Sequence, residues 1–232
     1  MKEYTGDKIR NVAIVGHGGA GTTSLTEALL YRSGAISRMC KVEDGQTTTD
    51  FEPEEIKRGV SVSATLAPVE WRDVKINFID TPGFADFVAE VKGAFRAVDS
   101  VLIVVSATSG VQIGTEQCWK LAEEAGLPRL IFVNKMDREN ADYDNILDNL
   151  RGHGLQLHLK RAEHQGNDLS TLLQLLSERR LQHGPGIFQK VVLGLGADLI
   201  IVFLLCQVER ICRVDAIPHI GPVSYTHLTL PT

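Results

Sequence analysis

Three short segments of this 232-residue sequence carry residue types whose spacing could do chemistry. The first is GHGGAGTTS, in which Gly16 and Gly21 have the spacing of a phosphate-binding loop and Thr23 follows. Glycines let successive backbone N–H groups face an anion, and a following helix N-terminus adds positive potential. Position 22 is Thr, where such a loop ordinarily has Lys. This segment alone leaves two interpretations open: a phosphate site that lacks one cation, or a glycine-rich turn without a ligand.

The second segment, FIDTPG, places Asp80 after an apolar run and before a Pro-Gly turn. An aspartate at the end of a buried strand can hold the shell of a Mg²⁺ ion, and the backbone N–H of Gly83 can reach a terminal phosphate. A carboxylate that only caps a helix is the alternative for Asp80. The pair therefore fits a nucleotide site without proving one.

The third segment, VNKMD, again follows an apolar run and ends with Asp137. Guanine presents adjacent N–H donors on its pairing edge, which one carboxylate can accept together, whereas adenine presents an acceptor there. Asn134 can bridge the base to the loop, and the Lys135 stem can lie along the base plane. Three such segments in this order predict a site for a guanine nucleotide.

The elements that must position these segments are strands and helices in alternation. The apolar runs are short, β-branched and nearly continuous, which is typical of strands buried on both faces of a parallel sheet. We predict these strands at 11–16, 75–80, 100–107 and 129–134. We predict amphipathic helices at 24–34, 84–99 and 114–126.

This alternation predicts an α/β fold, a three-layer α/β/α sandwich with a mostly parallel sheet. The segment 61–71 contains Pro68 and is expected to pair as an antiparallel edge strand. In open sheets of this kind the carboxyl ends of the strands lie along one edge, where ligands bind. The three segments should therefore meet at that edge.

Residues 8–150 resemble the GTPase domain of elongation factor G, within the translational GTPases, and the detail favours the elongation-factor-G-like branch. The resemblance rests on GHGGAGTTSLTEALL, on TTTDFEPEEIKRGVSV and on the long segment from DTPGFADF to VNKMDR. It implies a P-loop NTPase fold, incomplete at its C-terminal side, with GTP or GDP and Mg²⁺ as ligands. It also implies GTP hydrolysis coupled to translation, with the ribosome as partner.

The resemblance implies a set of site residues. Nucleotide contacts are expected at Gly16, His17, Gly18, Gly19, Ala20, Gly21, Thr22, Thr23, Ser24, Asp80, Thr81, Pro82, Gly83, Asn134, Lys135, Met136 and Asp137. Mg²⁺ is expected at Thr23, Ser61 and, through water, Asp80. Ser61 stands where the family has a switch Thr, and the polar segment 35–60 is expected to be ordered by the γ-phosphate and Mg²⁺. Without the resemblance, the charged part of that segment is interpreted as a solvated loop.

Three positions depart from the family pattern. Thr22 replaces a Lys that supplies a point charge to the phosphates. Phe84, beside the catalytic position Gly83, replaces a His that places the attacking water, and Phe forms no hydrogen bond. Gly19 stands where the main family commonly has Asp. These departures leave a second hypothesis open, a pseudo-GTPase module that binds nucleotide weakly or not at all and hydrolyses nothing.

The chain changes character near residue 150. We predict one domain at 1–150, the N-terminal part of a translational-type GTPase domain, and at 151–232 a tail of no recognisable family. The last ten residues, VSYTHLTLPT, can be encoded by codons that resemble a transposase-derived adapter of sequencing libraries. We therefore expect a truncated domain followed by an out-of-frame or chimeric segment. The alternatives are a lineage-specific tail and an interrupted reading frame without a stable product.

Composition narrows the possible binding partners and cellular locations of the protein. A net charge of −5 gives no reason to expect direct DNA binding. The four cysteines have no metal-binding spacing, and the polar N-terminus has no signal peptide, so we expect a cytoplasmic monomer with free thiols. The most apolar run, 191–206, is short for a bilayer span and contains Asp198, so no membrane association is expected.

Overall fold

A computed structural model describes residues 2–139, 141, 143–153, 159–160, 190–195 and 198–204 of the chain. The strands are β1 (Ile9–Gly16), β2 (Thr65–Trp71), β3 (Val74–Asp80), β4 (Ser100–Ser106), β5 (Arg129–Asn134), β6 (Leu159–Lys160), β7 (Lys190–Leu195) and β8 (Asp198–Leu204). The α-helices are α1 (Thr22–Ser33), α2 (Pro53–Arg58), α3 (Val88–Phe95), α4 (Ile113–Glu124) and α5 (Tyr143–Gly152). Short 3₁₀ helices lie at Gly6–Lys8, Val42–Asp44 and Ala85–Phe87.

The sheet is mostly parallel, with the strand order β2-β3-β1-β4-β5-β7-β8-β6. β1 lies between β3 and β4 and is parallel to both, and β4 is parallel to β5. β2 is the antiparallel edge strand, in which Pro68 lies opposite Asn77. The sequence-based predictions of a parallel sheet and of this edge strand are confirmed.

Side chains of the central strands alternate between two hydrophobic cores. In β1, Val12 and Ile14 pack into a core with α1, β2 and β3. Ala13 and Val15 point to the other face, into a core with α3, α4 and α5. Because successive side chains of a strand point to opposite faces, a strand buried on both faces has to be apolar throughout. The two cores on either side of one sheet confirm the three-layer sandwich.

The helix predictions were right in position but not always in extent. The 84–99 pattern forms a 3₁₀ turn, Ala85–Phe87, followed by the shorter helix α3. Phe84 is extended, with φ −90° and ψ 142°, so the chain enters this region through a bend rather than a helix. α1 ends at Gly34, whose φ of +78° is the left-handed conformation that favours glycine at a helix C-terminus.

The sequence pattern predicts no dependable elements after residue 150, whereas the structure places strands there. β7 pairs parallel with β5, and β7 and β8 pair antiparallel within the apolar run 191–206. A short continuous apolar run cannot be assigned to strand or helix by periodicity alone, which explains the omission. Among the described residues no helix is long and apolar enough to cross a membrane. The adapter-like segment 223–232 lies outside the described residues.

Candidate nucleotide site

The glycine loop connects the end of β1 at Gly16 to the start of α1. Gly19 and Gly21 have φ values of +79° and +98°, which side chains other than glycine rarely adopt. A Cβ on Gly16 would lie 2.7 Å from the carbonyl oxygen of Val104, and one on Gly21 would lie 2.3 Å from Asn134 Nδ2. The loop therefore needs glycine for its backbone conformation and for its close approach to neighbouring segments.

The NKMD loop is fastened directly to the glycine loop. Asn134 Nδ2 donates a hydrogen bond to the Ala20 carbonyl oxygen at 3.0 Å. Lys135 Nζ donates to the Gly19 carbonyl oxygen at 2.7 Å, and Lys135 itself has a φ of +63°. These contacts join two segments that are more than a hundred residues apart in sequence, as the carboxyl edge of a parallel sheet allows.

Asp80 ends β3 and is 2% exposed. Its Oδ2 accepts a hydrogen bond from Thr49 Oγ1 at 2.9 Å, while its buried Oδ1 has no hydrogen-bond partner among the described residues. Burial raises the pKa of Asp80 to about 7, against the opposing effect of the Thr49 hydrogen bond, and the nearby Asp50 carboxylate raises it further. A buried carboxylate with one unpaired oxygen is suited to a cation.

Two hydroxyl groups and a second carboxylate lie close to one another at the start of α1. Thr23 Oγ1 and Ser61 Oγ are 3.0 Å apart. Asp50 is buried beside them, and this burial raises its pKa, whereas hydrogen bonding with Ser61 and Thr23 acts in the opposite direction. Sequence reasoning missed Asp50, because one acid in a polar segment gives no sign that it is buried.

The polar segment 35–60 and the residues that follow it, including Ser61, are held by buried carboxylates. Glu27 of α1 is 1% exposed and accepts hydrogen bonds from the backbone N–H groups of Cys40, at 3.3 Å, and Thr48, at 2.9 Å. Glu55 accepts from the N–H groups of Val62, at 2.9 Å, and Ser63, at 3.1 Å. Hydrogen bonds within the protein therefore hold this segment in place, in addition to any contacts with a ligand.

The glycine loop, Ser61, the Pro-Gly turn and the NKMD loop surround one cavity of about 440 Å³. The sequence-predicted residues that line it are His17, Gly18, Gly19, Gly21, Thr22, Thr23, Ser24, Ser61, Gly83, Phe84, Asn134, Lys135 and Asp137. Val42, Glu43, Asp50, Gly59, Val60 and Arg138 line it as well and were not among the expected contacts, although all but Arg138 belong to the segment 35–60 that was expected to respond to the ligand. Asp80, an expected contact, is not among the residues that line the cavity. A volume of this size is in the range of small-ligand sites.

Several motif residues lie behind the cavity rather than in its wall. Thr81 is fully buried and donates its hydroxyl to the Ile14 carbonyl oxygen at 2.9 Å, which ties β3 to β1. Met136 packs in the core on the α3, α4 and α5 face, and Ala20 packs in the core beside α1. Gly16 and Pro82 face a smaller neighbouring pocket. These residues therefore support the segments around the cavity instead of lining it.

Phe84 lies against the glycine loop and is 45% exposed. Its ring is so close that a Cβ on Gly18 would lie 3.0 Å from it. His17, the next loop residue, accepts a hydrogen bond at Nδ1 from the Gly114 N–H of α4, at 3.3 Å. The aromatic ring therefore covers this part of the loop and brings no polar atom to the cavity.

The fold and the site together define a P-loop nucleotide-binding domain: a glycine loop between strand and helix, an aspartate ending a neighbouring strand, and an NKMD loop at the same sheet edge. Residues 7–200 match the family of the elongation factor Tu GTP binding domain, and the chain belongs to this family. The resemblance to translational GTPases is thereby confirmed.

The relatives found by sequence include elongation factors G. The chain is 43% identical over 139 residues to elongation factor G 2 of Borreliella burgdorferi, covering 60% of the chain and 21% of that protein. It is 44% identical over 141 residues to elongation factor G 2 of Treponema pallidum, covering 61% and 21%. The chain thus spans about a fifth of the length of these curated relatives.

Solved structures give the same fold. A Thermus thermophilus protein of known crystal structure matches with a TM-score of 0.63 and 43% identity, over 68% of this chain and 24% of that one. A bacterial selenocysteine-specific elongation factor matches with a TM-score of 0.50 and 21% identity, over 63% and 22%. The second match supports the fold alone.

Proposed function

We propose that this domain binds GTP and GDP together with Mg²⁺ and hydrolyses GTP in a cytoplasmic, ribosome-associated step of translation. The main support for this proposal is that the glycine loop, Ser61, Gly83 and the NKMD loop line one cavity. Membership of the family supports a guanine nucleotide as the ligand. The ribosome enters as a proposed partner because the relatives matched over this domain are elongation factors.

The phosphates would lie at the glycine loop. Its backbone N–H groups, from Gly18 to Thr23, include those of the first two residues of the 12-residue helix α1, whose N-terminus carries positive potential. Lys135 is bonded to the Gly19 carbonyl oxygen, so its ammonium stabilises the loop. Thr22 lines the cavity but brings no charge. Binding would therefore rest on backbone donors and on the metal ion more than on a side-chain cation.

The residues present fit a Mg²⁺ ion. Thr23 Oγ1 and Ser61 Oγ lie 3.0 Å apart, and Asp80 Oδ1 is buried without a hydrogen-bond partner among the described residues. Mg²⁺ prefers oxygen ligands and keeps several waters, which a carboxylate behind the ion can accept. We propose that Thr23 and Ser61 hold the ion and that Asp80 holds its water shell. Bound Mg²⁺ would supply charge compensation for the phosphate oxygens.

The guanine base would lie against the NKMD loop. The Asp137 carboxylate would accept the two N–H donors of the guanine pairing edge. Asn134 lines the same cavity and is held by its bond to the glycine loop, so it would fix the base relative to the phosphates. The Lys135 stem would lie along the base plane.

A second candidate is nucleotide binding without hydrolysis. It is favoured by Phe84, which stands where the family has a water-placing His and which covers the loop at Gly18. It is also favoured by Thr22, because the Lys expected there stabilises charge during phosphoryl transfer. In this candidate Gly83 would still donate its N–H to the terminal phosphate, and the switch segment would still respond to the ligand.

Titration of the full chain with fluorescent GDP and GTP, in Mg²⁺ and in chelator, tests the proposal. We expect saturable binding that is tighter with Mg²⁺ and that unlabelled GDP, but not ADP, displaces. Displacement by ADP and GDP alike would contradict guanine selection, and absence of binding in all conditions would contradict the function. Release of phosphate from GTP in the same samples distinguishes the hydrolysing domain from the second candidate.

A further inference from the structure

One wall of the nucleotide cavity is not used by the proposed function. It consists of Val42 and Glu43, which belong to the 3₁₀ helix Val42–Asp44 and lie outside all three motifs. The NKMD loop, with Asp137 and Arg138, lines the same cavity. A ligand in the cavity would therefore be within the reach of both the base loop and this wall.

The wall is held in place by a buried side chain. The Glu27 carboxylate accepts one backbone N–H on each side of the short helix, from Cys40 and from Thr48. The helix ends at Gly45, whose φ is +62° and whose Cβ position would lie 2.8 Å from Ile56. A single buried acid thus closes the loop from 40 to 48 and presents Glu43 to the cavity.

The Glu43 carboxylate has no hydrogen bond or ion pair with another residue in the described part of the chain. The other two acids that line the cavity, Asp50 and Asp137, have neighbours or roles of their own. Asp50 interacts with Ser61 and Thr23, and Asp137 is assigned to the base. Glu43 is exposed and lines the cavity, so its carboxylate is accessible to a ligand that enters.

A nucleotide offers few hydrogen-bond donors to such a group. An ionised carboxylate is negatively charged, so it repels the phosphates. It only accepts hydrogen bonds, so its partner has to be a donor. The donors of the guanine pairing edge are taken by Asp137 under the proposed function, on which this inference rests. The ribose offers two hydroxyl donors, and carboxylates bind ribose hydroxyls in other nucleotide sites. We propose that Glu43 accepts a hydrogen bond from a ribose hydroxyl, so that this wall selects ribonucleotides.

Competition of GDP and of 2′,3′-dideoxy-GDP against a non-hydrolysable GTP analogue labelled on its γ-phosphate tests the inference, because both competitors carry the same base and phosphates. A hydrogen bond to a charged group predicts that the full chain prefers GDP by about ten-fold or more. Glu43→Ala should reduce this preference to about two-fold or less. Asp44→Asn removes an adjacent exposed acid that does not line the cavity, and it should retain the full preference.

The outcomes separate the two claims. Equal binding of GDP and dideoxy-GDP by the unmodified chain, or an unchanged preference in Glu43→Ala, would overturn the ribose contact while leaving guanine binding intact. Displacement of the probe by neither nucleotide would overturn the proposed function and the ribose contact together. Loss of the preference in Asp44→Asn as strongly as in Glu43→Ala would show a general charge effect and also overturn the inference.

Discussion

Replacement of Thr22 by Lys should restore a cation to the glycine loop. Thr22 is the first residue of α1, lines the cavity and is 9% exposed, so a longer side chain at this position would extend into the nucleotide site. A hydrogen bond to a charged group contributes about 1.5–3 kcal/mol, which corresponds to about ten- to a hundred-fold in affinity.

The structure places the expected gain at the lower end of that range. Asp80 and Asp50 are buried beside the loop, and burial raises the pKa of both. A new ammonium would be attracted to these carboxylates as well as to the phosphates, so part of its charge is already compensated. We therefore expect Thr22→Lys to tighten GDP and GTP binding by about ten- to thirty-fold.

The assay is a fluorescent nucleotide titration in Mg²⁺, run on the unmodified chain, Thr22→Lys and Thr22→Met. Met has a side chain of similar length without charge, so it controls for packing in the cavity. Equal changes of affinity in the Lys and Met variants would exclude an effect of the charge at position 22. Tight binding by the unmodified chain, with no gain in Thr22→Lys, would exclude a missing cation as the defect.

Three other changes test the carboxylates and the aromatic ring around the site. Because the pKa of Asp80 is raised to about 7 in the fold, the metal-free chain should lose up to about 4 kcal/mol of stability as pH rises from about 4 to 7. Denaturant unfolding in chelator measures this loss. Asp80→Asn should remove most of the dependence and leave the smaller part that comes from Asp50, whose pKa is also raised. Glu27→Ala leaves the Cys40 and Thr48 N–H groups unpaired and should lower the free energy of unfolding by about 1–3 kcal/mol. This loss is measured as a lower Tm, and an unchanged Tm would show that the contact contributes nothing to stability. Phe84→His restores a water-placing group and should raise the rate of GTP hydrolysis by up to about a hundred-fold. Phosphate release measures this rate, and no rise would show that Phe84 is not the limiting defect.

The central fold was predictable because its strands are buried on both faces. Such strands have to be apolar along their whole length, as in the run from 100 to 107, and each of the motifs begins where a run ends. The extent of α3 was not predictable, because the bend at Phe84 and the 3₁₀ turn Ala85–Phe87 replace the first turn of an amphipathic pattern that is typical of a continuous helix. The strands β7 and β8 were missed because their apolar run fits either element.

The candidate site was predictable where a motif fixes residue type and spacing. The buried carboxylates around the polar segment were not predictable. Asp50 and Glu55 stand among other polar residues and look like solvated charges, and nothing in the helix pattern around Glu27 indicates that another segment covers it. Their burial depends on how the segment packs against α1 and the sheet, which local spacing does not encode. Conversely, the motif residue Thr81 bonds to β1 and the motif residue Met136 packs in a core, because a motif does not state which way each side chain points.

The proposed function depends on the selection of guanine by Asp137, and the substitution Asp137→Asn tests this selection most directly. Xanthine carries a carbonyl where guanine carries its amino group, so an Asn amide N–H can donate where the Asp carboxylate accepted. Asp137 is exposed, so the fold should not be affected. We predict that Asp137→Asn weakens GDP binding by about ten- to a hundred-fold and strengthens binding of xanthosine diphosphate. An unchanged ratio of the two affinities would contradict a guanine-nucleotide site at this loop.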